Sequence, residues 1–591
     1  MTYPTSWNLS RYLYSGLDDP KFLADIERII PDTLLFRDKY QHTLEGFTEA
    51  SQILEFYNDY EKFSYTLGTP GYYLFYLSSL DTQNTEVLKK MGELQFIHTN
   101  ASNELLFIAQ AWKTIGVKKI LEWAENPILI GYRNDLMSTA ENIRYILGEK
   151  EEYTLNMKAR PLSLANDLHD ELTGSFEFFM SIDGEEKKLT EEEVRSYRQH
   201  TSRSIREEAY KSLRKVYNTK QNQITLGNIY TSIVKDSSSD MRLRGYETVM
   251  SARNISEEMD DTTITMLLNE VENSYPIYSR FLRAKAKMLK ISDFSVWDVG
   301  APIASNDRDF SFDEAFNLHL SVMKDFDSDF YEYSLKMIKE ERIDVFPKAG
   351  KRWGAYASYR KWDESFVLLN FTGKLRDVAT ISHELGHAIH GHLSQIQEWA
   401  VYDSPLSLAE TASIFSEMLL WEKLKTMISK EEYAEYLNER LWDIFATIYR
   451  QVQYVAFEKK VHETIHDGQE LTYKELNLLW RAEQSKLYGN QIQYDIDGSE
   501  ESGWSMIPHI FHTPFYCYAY AFGNILTFAL YNKVQNGELS IEDYKNILRS
   551  GGSKRPRELL MEYNIDITSP DFYRAWLHEV EKLVIEFENL L

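Results

Sequence analysis

His383-Glu384-Leu385-Gly386-His387 constrains this chain more than any other stretch, because its polar residues can act together only on a helix. At about 100° of rotation per residue, His387 falls about 40° from His383 and one turn along, so two imidazoles face one point. Glu384 lies about 60° beyond His387 on the same side, placed to address a water molecule without being a ligand. Val378, Ile381, Leu385, Ala388 and Ile389 occupy the opposite face. The stretch reads as a helix that packs with one side and holds a metal ion with the other, with the H-E-x-x-H spacing of zinc sites. With 14 His in 591 residues the same spacing also arises by chance on a solvated helix face. The rest of the chain has to decide.

A catalytic zinc site needs three protein ligands and one open position. Glu410, within Ser407-Leu408-Ala409-Glu410-Thr411-Ala412-Ser413, follows His387 by 23 residues (410 − 387). That is room for the first helix to finish, a loop through Pro405, and a second helix. Leu408, Ala412, Ile414, Phe415, Met418 and Leu419 make this second helix apolar nearly all round, and a lone carboxylate buried there needs compensation. A divalent cation supplies it. Glu417, seven residues on and about 20° away in azimuth, reads either as an outer acceptor for a ligand imidazole or as a surface acid. His390 is the rival third ligand. Its site would spread three residues over about 10 Å of one helix, too far for bonds near 2 Å. The pattern H-E-x-x-H-x-x-G-x-x-H also fails, since positions 390 and 393 are His and Leu.

Two further stretches bear on the chemistry. His509-Ile510-Phe511-His512-Thr513-Pro514-Phe515-Tyr516-Cys517-Tyr518-Ala519-Tyr520 offers phenols and imidazoles suited to an oxyanion, although an aromatic run of this kind also builds cores. Asp497-Gly498-Ser499-Glu500-Glu501-Ser502-Gly503 reads as a loop able to gate a site. Ahead of the motif, the aromatic patch from Gly350 to Tyr359 and the run Ser365 to Phe371 are β-prone. They make either a structural hairpin or an edge that pairs with an extended peptide.

Elsewhere helical periodicity dominates. Long amphipathic segments are expected over Pro20–Ile30, Thr43–Leu67 and Thr85–Ile115, broken at Gly68 and Pro70-Gly71. Phe176, Phe178 and Met180 alternate up to Asp183-Gly184, a hairpin signal. Capping boxes open helices at Thr190, Ser311 and Thr472, with a looser one at Ser540. The fold expected is mainly α with a small β-sheet or hairpin beside the metal helix. The division expected is an N-terminal helical lobe over 1–195 and a catalytic region over 196–591.

Hydrophobic residues at 43% and aromatics at 14% exclude a disordered chain. The balance of 65 basic against 91 acidic residues, net −26, repels phosphate backbones, so no nucleic acid partner is expected. No apolar run reaches the length of a membrane span, and no secretory leader opens the sequence. The single cysteine, Cys517, forms no internal disulfide. A soluble cytoplasmic protein is expected.

The H-E-x-G-H-x-x-H run at 383 to 390, Ala409-Glu410 with a second Glu seven residues on, and the His/Tyr segment at 509 to 520 resemble the M3 family of zinc metallopeptidases. The closer likeness is to its oligoendopeptidase F branch, related to thimet oligopeptidase. Trp7-Asn8-Leu9-Ser10 followed by Asp18-Asp19-Pro20 fits that branch too. The resemblance implies two helical lobes enclosing a deep substrate channel, with one zinc ion per chain held by His383, His387 and Glu410, and Glu384 as general base. It implies short peptide substrates and substrate contacts from 509 to 520, for which His509, Tyr516 and Tyr518 are favoured over His512 and Tyr520. The expected activity is that of a zinc endopeptidase cutting internal bonds of short unfolded peptides. The alternatives are a helical zinc carboxypeptidase, with Arg352, Arg360 or Lys361 meeting the terminal carboxylate, and an inactive peptide-binding scaffold.

Overall fold

The computed structural model describes residues 3–182, 184–304, 309–489, 492–493 and 502–591, with the backbone alone at 159–164 and 166–167. Asp183 of the expected hairpin turn and residues 497–501 of the expected gating loop lie outside the described residues. The chain is mainly helical and forms two compact units, each built from three segments. One comprises Met1–Met157, Arg308–Leu424 and Leu530–Tyr563; the other comprises Lys158–Asp307, Lys425–Ala529 and Asn564–Leu591. The lobes expected at 1–195 and 196–591 follow sequence order, whereas these units alternate along the chain. Apolar faces far apart in sequence find each other, and composition along a chain carries no mark of that.

The second unit contains the expected hairpin. Strands β1 (Phe178–Ile182) and β2 (Glu185–Leu189) pair antiparallel, with Met180 opposite Lys187. The alternation works as read: Phe178, Met180 and Ile182 are buried and join Tyr217, Tyr230, Phe457, Trp480, Trp504 and Phe511 in one core. Strand β2 is solvated, and Thr190 closes it with the capping box of the helix Glu191–Ser196. Thr472 does the same for Tyr473–Tyr488.

In the first unit the helices Pro20–Tyr40, Ala50–Leu80 and Thr85–Glu104 pack on one another. The break expected at Gly68 and Pro70 does not occur, and Ala50–Leu80 is one helix of 31 residues. An interior proline costs about 3 kcal/mol. Phe56 and Tyr57 before it and Tyr73, Leu74 and Tyr76 after it are all buried. At roughly 1.5–3 kcal/mol per large apolar side chain, their packing outweighs the proline. Conversely, the expected Thr85–Ile115 is divided into Thr85–Glu104 and Phe107–Ile115.

This unit also holds a three-stranded sheet, and its first strand was not foreseen. Strands β3 (Ile343–Asp344), β4 (Tyr356–Ser358) and β5 (Phe366–Leu368) lie in the order β3-β5-β4. The apolar Phe366-Val367-Leu368 is central and fully buried, while β4 is an edge. The H-E-x-x-H helix, Leu375–Ser394, packs against β4 and β5, with Val378, Ile381, Leu385, Ala388 and Ile389 buried as the period required. One face of that helix is thus fixed by the sheet and core.

Candidate metal centre

Three side chains of the first unit converge on one point. His383 Nε2 lies 3.2 Å from His387 Nε2, and Glu410 Oε2 lies 3.4 Å from the first and 3.5 Å from the second. The helix supplies the two imidazoles one turn apart. Glu410 does not stand inside a second helix as expected; it sits at the junction between the short helix Leu406–Ala409 and the helix Thr411–Lys425. There Ser413 Oγ donates to Glu410 Oε2 at 2.8 Å and to its carbonyl at 3.0 Å, which fixes the carboxylate's aim.

The junction comes close because position 386 is glycine. A Cβ on Gly386 would lie 2.5 Å from the carbonyl oxygen of Ala412 and 2.6 Å from Ser413 Cα. Any side chain there would push the Glu410 segment away from the two histidines. In the sequence Gly386 stands only as part of the motif. A glycine inside a helix costs about 1 kcal/mol against alanine, and that cost was the available signal of a close approach.

Outer contacts orient these side chains. Glu417 Oε1 accepts from His383 Nδ1 at 2.5 Å, so of its two readings the carboxylate takes the outer-acceptor one. The His387 ring is hydrogen-bonded to the backbone of Ala409, next to Glu410. His390 takes no part: it is buried, with Nε2 2.9 Å from Ser404 Oγ.

The charges are those of a cation site. Burial works against a charge on His383, but Glu417, backed by Glu410 and Glu384, holds its pKa up at about 10. Burial pushes His387 down to about 4 against the pull of Glu410. Although burial opposes it, the two imidazoles and Ser413 draw the Glu410 carboxyl below its ordinary range. Burial raises the Glu384 carboxyl to about 7, with His383 opposing and Glu410 and Glu417 adding. The backbone of Ala357, on edge strand β4, is its hydrogen-bonding neighbour. Carboxylates flank His383 on both ring nitrogens, so positive charge is favoured at this point.

The donor set can be tested against a metal directly. Ligands at about 2.1 Å in a tetrahedron stand about 3.4 Å from one another. The three separations observed, 3.2, 3.4 and 3.5 Å, match a zinc-sized tetrahedral edge. Two imidazoles and one carboxylate are also the ligand types of a catalytic zinc with an open fourth position. The residues fit the ion.

The expected substrate segment lies in the second unit. His509, Tyr516 and Tyr520 cluster there, with Tyr520 Oη 3.3 Å from His509 Nε2 and the Tyr516 and Tyr520 rings 5.1 Å apart. Tyr518 is not with them. It is fully buried and its hydroxyl has no hydrogen-bond partner. The local helix begins at Tyr518, so the side chain at 518 is rotated away from its neighbours at 516 and 520. His512 points to Asp170 instead.

The cations considered for a terminal carboxylate are partly committed. Arg360 is buried against Asp363 and Thr69 and stacks on Tyr65 and Tyr72. The Lys361 ammonium sits on the carbonyls of Gln395 and Gln397. Arg352 is exposed beside Phe75 and Tyr356.

The profile of Peptidase family M3 matches residues 196–578. Oligoendopeptidase F (chromosomal) of Lactococcus lactis subsp. cremoris is 30% identical over 429 residues, which is 72% of this chain and 70% of that protein. Oligopeptidase PepF of Bacillus subtilis is 24% identical across 99% of this chain and 87% of its own length. The crystal structure of oligoendopeptidase-F from Enterococcus faecium superposes with a TM-score of 0.74 over 96% of this chain and 98% of that one, at 20% identity. At that identity the likeness is one of fold.

Proposed function

The chain belongs to peptidase family M3, in its oligoendopeptidase F branch, and on that premise we propose that it is a zinc-dependent endopeptidase cutting internal bonds of short unfolded peptides. The observation that supports this reading most is the triangle of donor atoms at His383, His387 and Glu410, with Glu384 beside it on the same helix. Those three residues would hold the ion. The chemistry such an ion supplies is Lewis acidity, toward water and toward the scissile carbonyl.

The remaining work falls to side chains. Glu384 takes a proton from the attacking water and passes it to the leaving nitrogen, a task suited to a carboxyl pushed up to about 7. With the ion bound, Glu417 would hold His383 in the tautomer that turns its Nε2 lone pair inward. For the segment 509–520 we propose substrate contact through His509, Tyr516 and Tyr520, which group together within the second unit, rather than through the buried Tyr518.

An internally quenched peptide with its C-terminus blocked tests the reading. Cleavage is expected in the wild type and absent after chelation, with recovery on adding Zn2+. Cleavage only of peptides with a free C-terminus would make it a carboxypeptidase. Binding without any cleavage would leave a scaffold.

A further inference from the structure

Among the described residues, one other group brings three metal-ligating atoms together, and peptide hydrolysis does not call on it. His169 and Asp170 lie near the C-terminal end of the helix Glu149–Gly174, and His512 ends the short helix Pro508–His512. Asp170 Oδ1 lies 3.0 Å from His169 Nδ1 and 2.9 Å from His512 Nε2. All three atoms fall within 4.8 Å of one another.

As an all-protein hydrogen-bond network this arrangement is one proton short. His169 Nε2 faces the carbonyl oxygen of Ser505 at 3.4 Å. The Ser505 carbonyl and the Asp170 carboxylate both only accept, so each ring nitrogen of His169 faces an acceptor. A neutral imidazole carries one hydrogen, so one of the two contacts sets a nitrogen lone pair against an acceptor. Added positive charge relieves the mismatch, either a second proton on the ring or a cation bound between Nδ1 and the carboxylate.

Three features favour the cation. His169 is held rigidly: its side chain is 3% exposed and its ring stacks on Phe511 at 4.0 Å. An imidazole whose far N–H is aimed at a backbone carbonyl is oriented as metal-ligating histidines are. Asp170 and His512 are 58% and 36% exposed, so an ion has a way in and water can complete its coordination. The chain's net charge of −26 concentrates cations around it. Two imidazoles and one carboxylate select zinc, cobalt or nickel over magnesium or calcium.

We propose that His169, Asp170 and His512 form a second site for a divalent ion of the zinc–cobalt–nickel class, distinct from the centre at His383. The ion would tie the helix Pro508–His512 to the helix Glu149–Gly174.

Metal counting tests this on the full chain. The chelated protein is dialysed against buffered Zn2+ and its zinc measured by elemental analysis, with the thermal midpoint followed in parallel. Two equivalents are expected in the wild type and one in H512A, with a zinc-dependent rise in midpoint that H512A lacks. D170N, altered at an exposed side chain, guards against a folding defect and should also bind one. E410A reports on the other centre and should keep this equivalent, so a failure there is distinguishable from a failure here. One equivalent in the wild type, with E410A binding none, would assign the charge at His169 to a proton and overturn the proposal. So would two equivalents persisting in both H512A and D170N.

Discussion

Glu417 Oε1 sits 2.5 Å from His383 Nδ1, on the side of the ring opposite the point that His383 Nε2 shares with His387 and Glu410. A ligand imidazole held this way is fixed in orientation and made more basic, and removing such a partner typically weakens metal binding by about 10- to 100-fold. Glu417→Ala should therefore raise the Zn2+ dissociation constant by about that factor in a chelator competition, with the helical circular dichroism unchanged. Glu417→Gln, which keeps an acceptor but loses the charge, should fall between. Equal affinity in all three proteins would reduce Glu417 to a packing acid.

Glu384→Gln separates base from ligand. The amide is nearly isosteric but accepts no proton, so hydrolysis of a quenched peptide should drop by about 10²- to 10⁴-fold, the range of general acid–base catalysis. Zinc content should stay at the wild-type value, because Glu384 is not one of the three converging donors. The thermal midpoint should not fall, since a neutral amide of nearly the same shape replaces a buried carboxyl. Turnover within threefold of wild type would dismiss Glu384 as the base.

Gly386→Ala tests the close approach that brings Glu410 to the histidines. The new methyl would meet backbone atoms of Ala412 and Ser413 at 2.5 and 2.6 Å, and backbone cannot rotate away as a side chain can. Overpacking of this kind costs about 1–3 kcal/mol, offset by under 1 kcal/mol of gained helix propensity. A lower urea midpoint is expected together with partial loss of zinc, because relief of the clash moves Glu410. Lost stability with full zinc affinity would mean that the two helices separate without shifting the ligand.

How much of this could be read beforehand depends on the range of each interaction. The spacing of His383, Glu384 and His387 is local and periodic, so the helix, its buried face and its two imidazoles follow from rotation per residue alone. Glu410 was reachable because a carboxylate among Leu408, Ala412 and Phe415 has no other excuse, yet its place at a helix junction depends on contacts with Gly386 across the packing. The continuous helix through Pro70 turned on tertiary burial of Phe56, Tyr57, Tyr73 and Leu74, which no local signal shows. Tyr518 and Tyr520 lie two residues, about 200° of rotation, apart at a helix start, and only the position of that start decides which phenol is buried. The alternation of the two compact units is the least local feature and had no sequence signal at all.

Glu458 gives a prediction that does not involve the metal. It is fully buried, its Oε1 accepts the backbone N–H of Phe515 at 3.0 Å, its Oε2 has no partner, and burial raises its pKa to about 8. Below the unfolded pKa of about 4.5, folded and unfolded chains are both protonated and the residue has no effect on the pH dependence. Between about 4.5 and 8 only the folded state keeps the proton at the top of the range, so each pH unit removes about 1.4 kcal/mol of stability. Above about 8 both states are ionised and the loss is complete, a few kcal/mol in all. Glu458→Gln keeps an acceptor for Phe515 and does not titrate. Its urea midpoint should equal or fall slightly below that of wild type at pH 5 and exceed it progressively at pH 7 and 9. All other titrating groups are common to the two proteins, so a difference that stays flat across that range would show that the buried carboxyl titrates alike in both states.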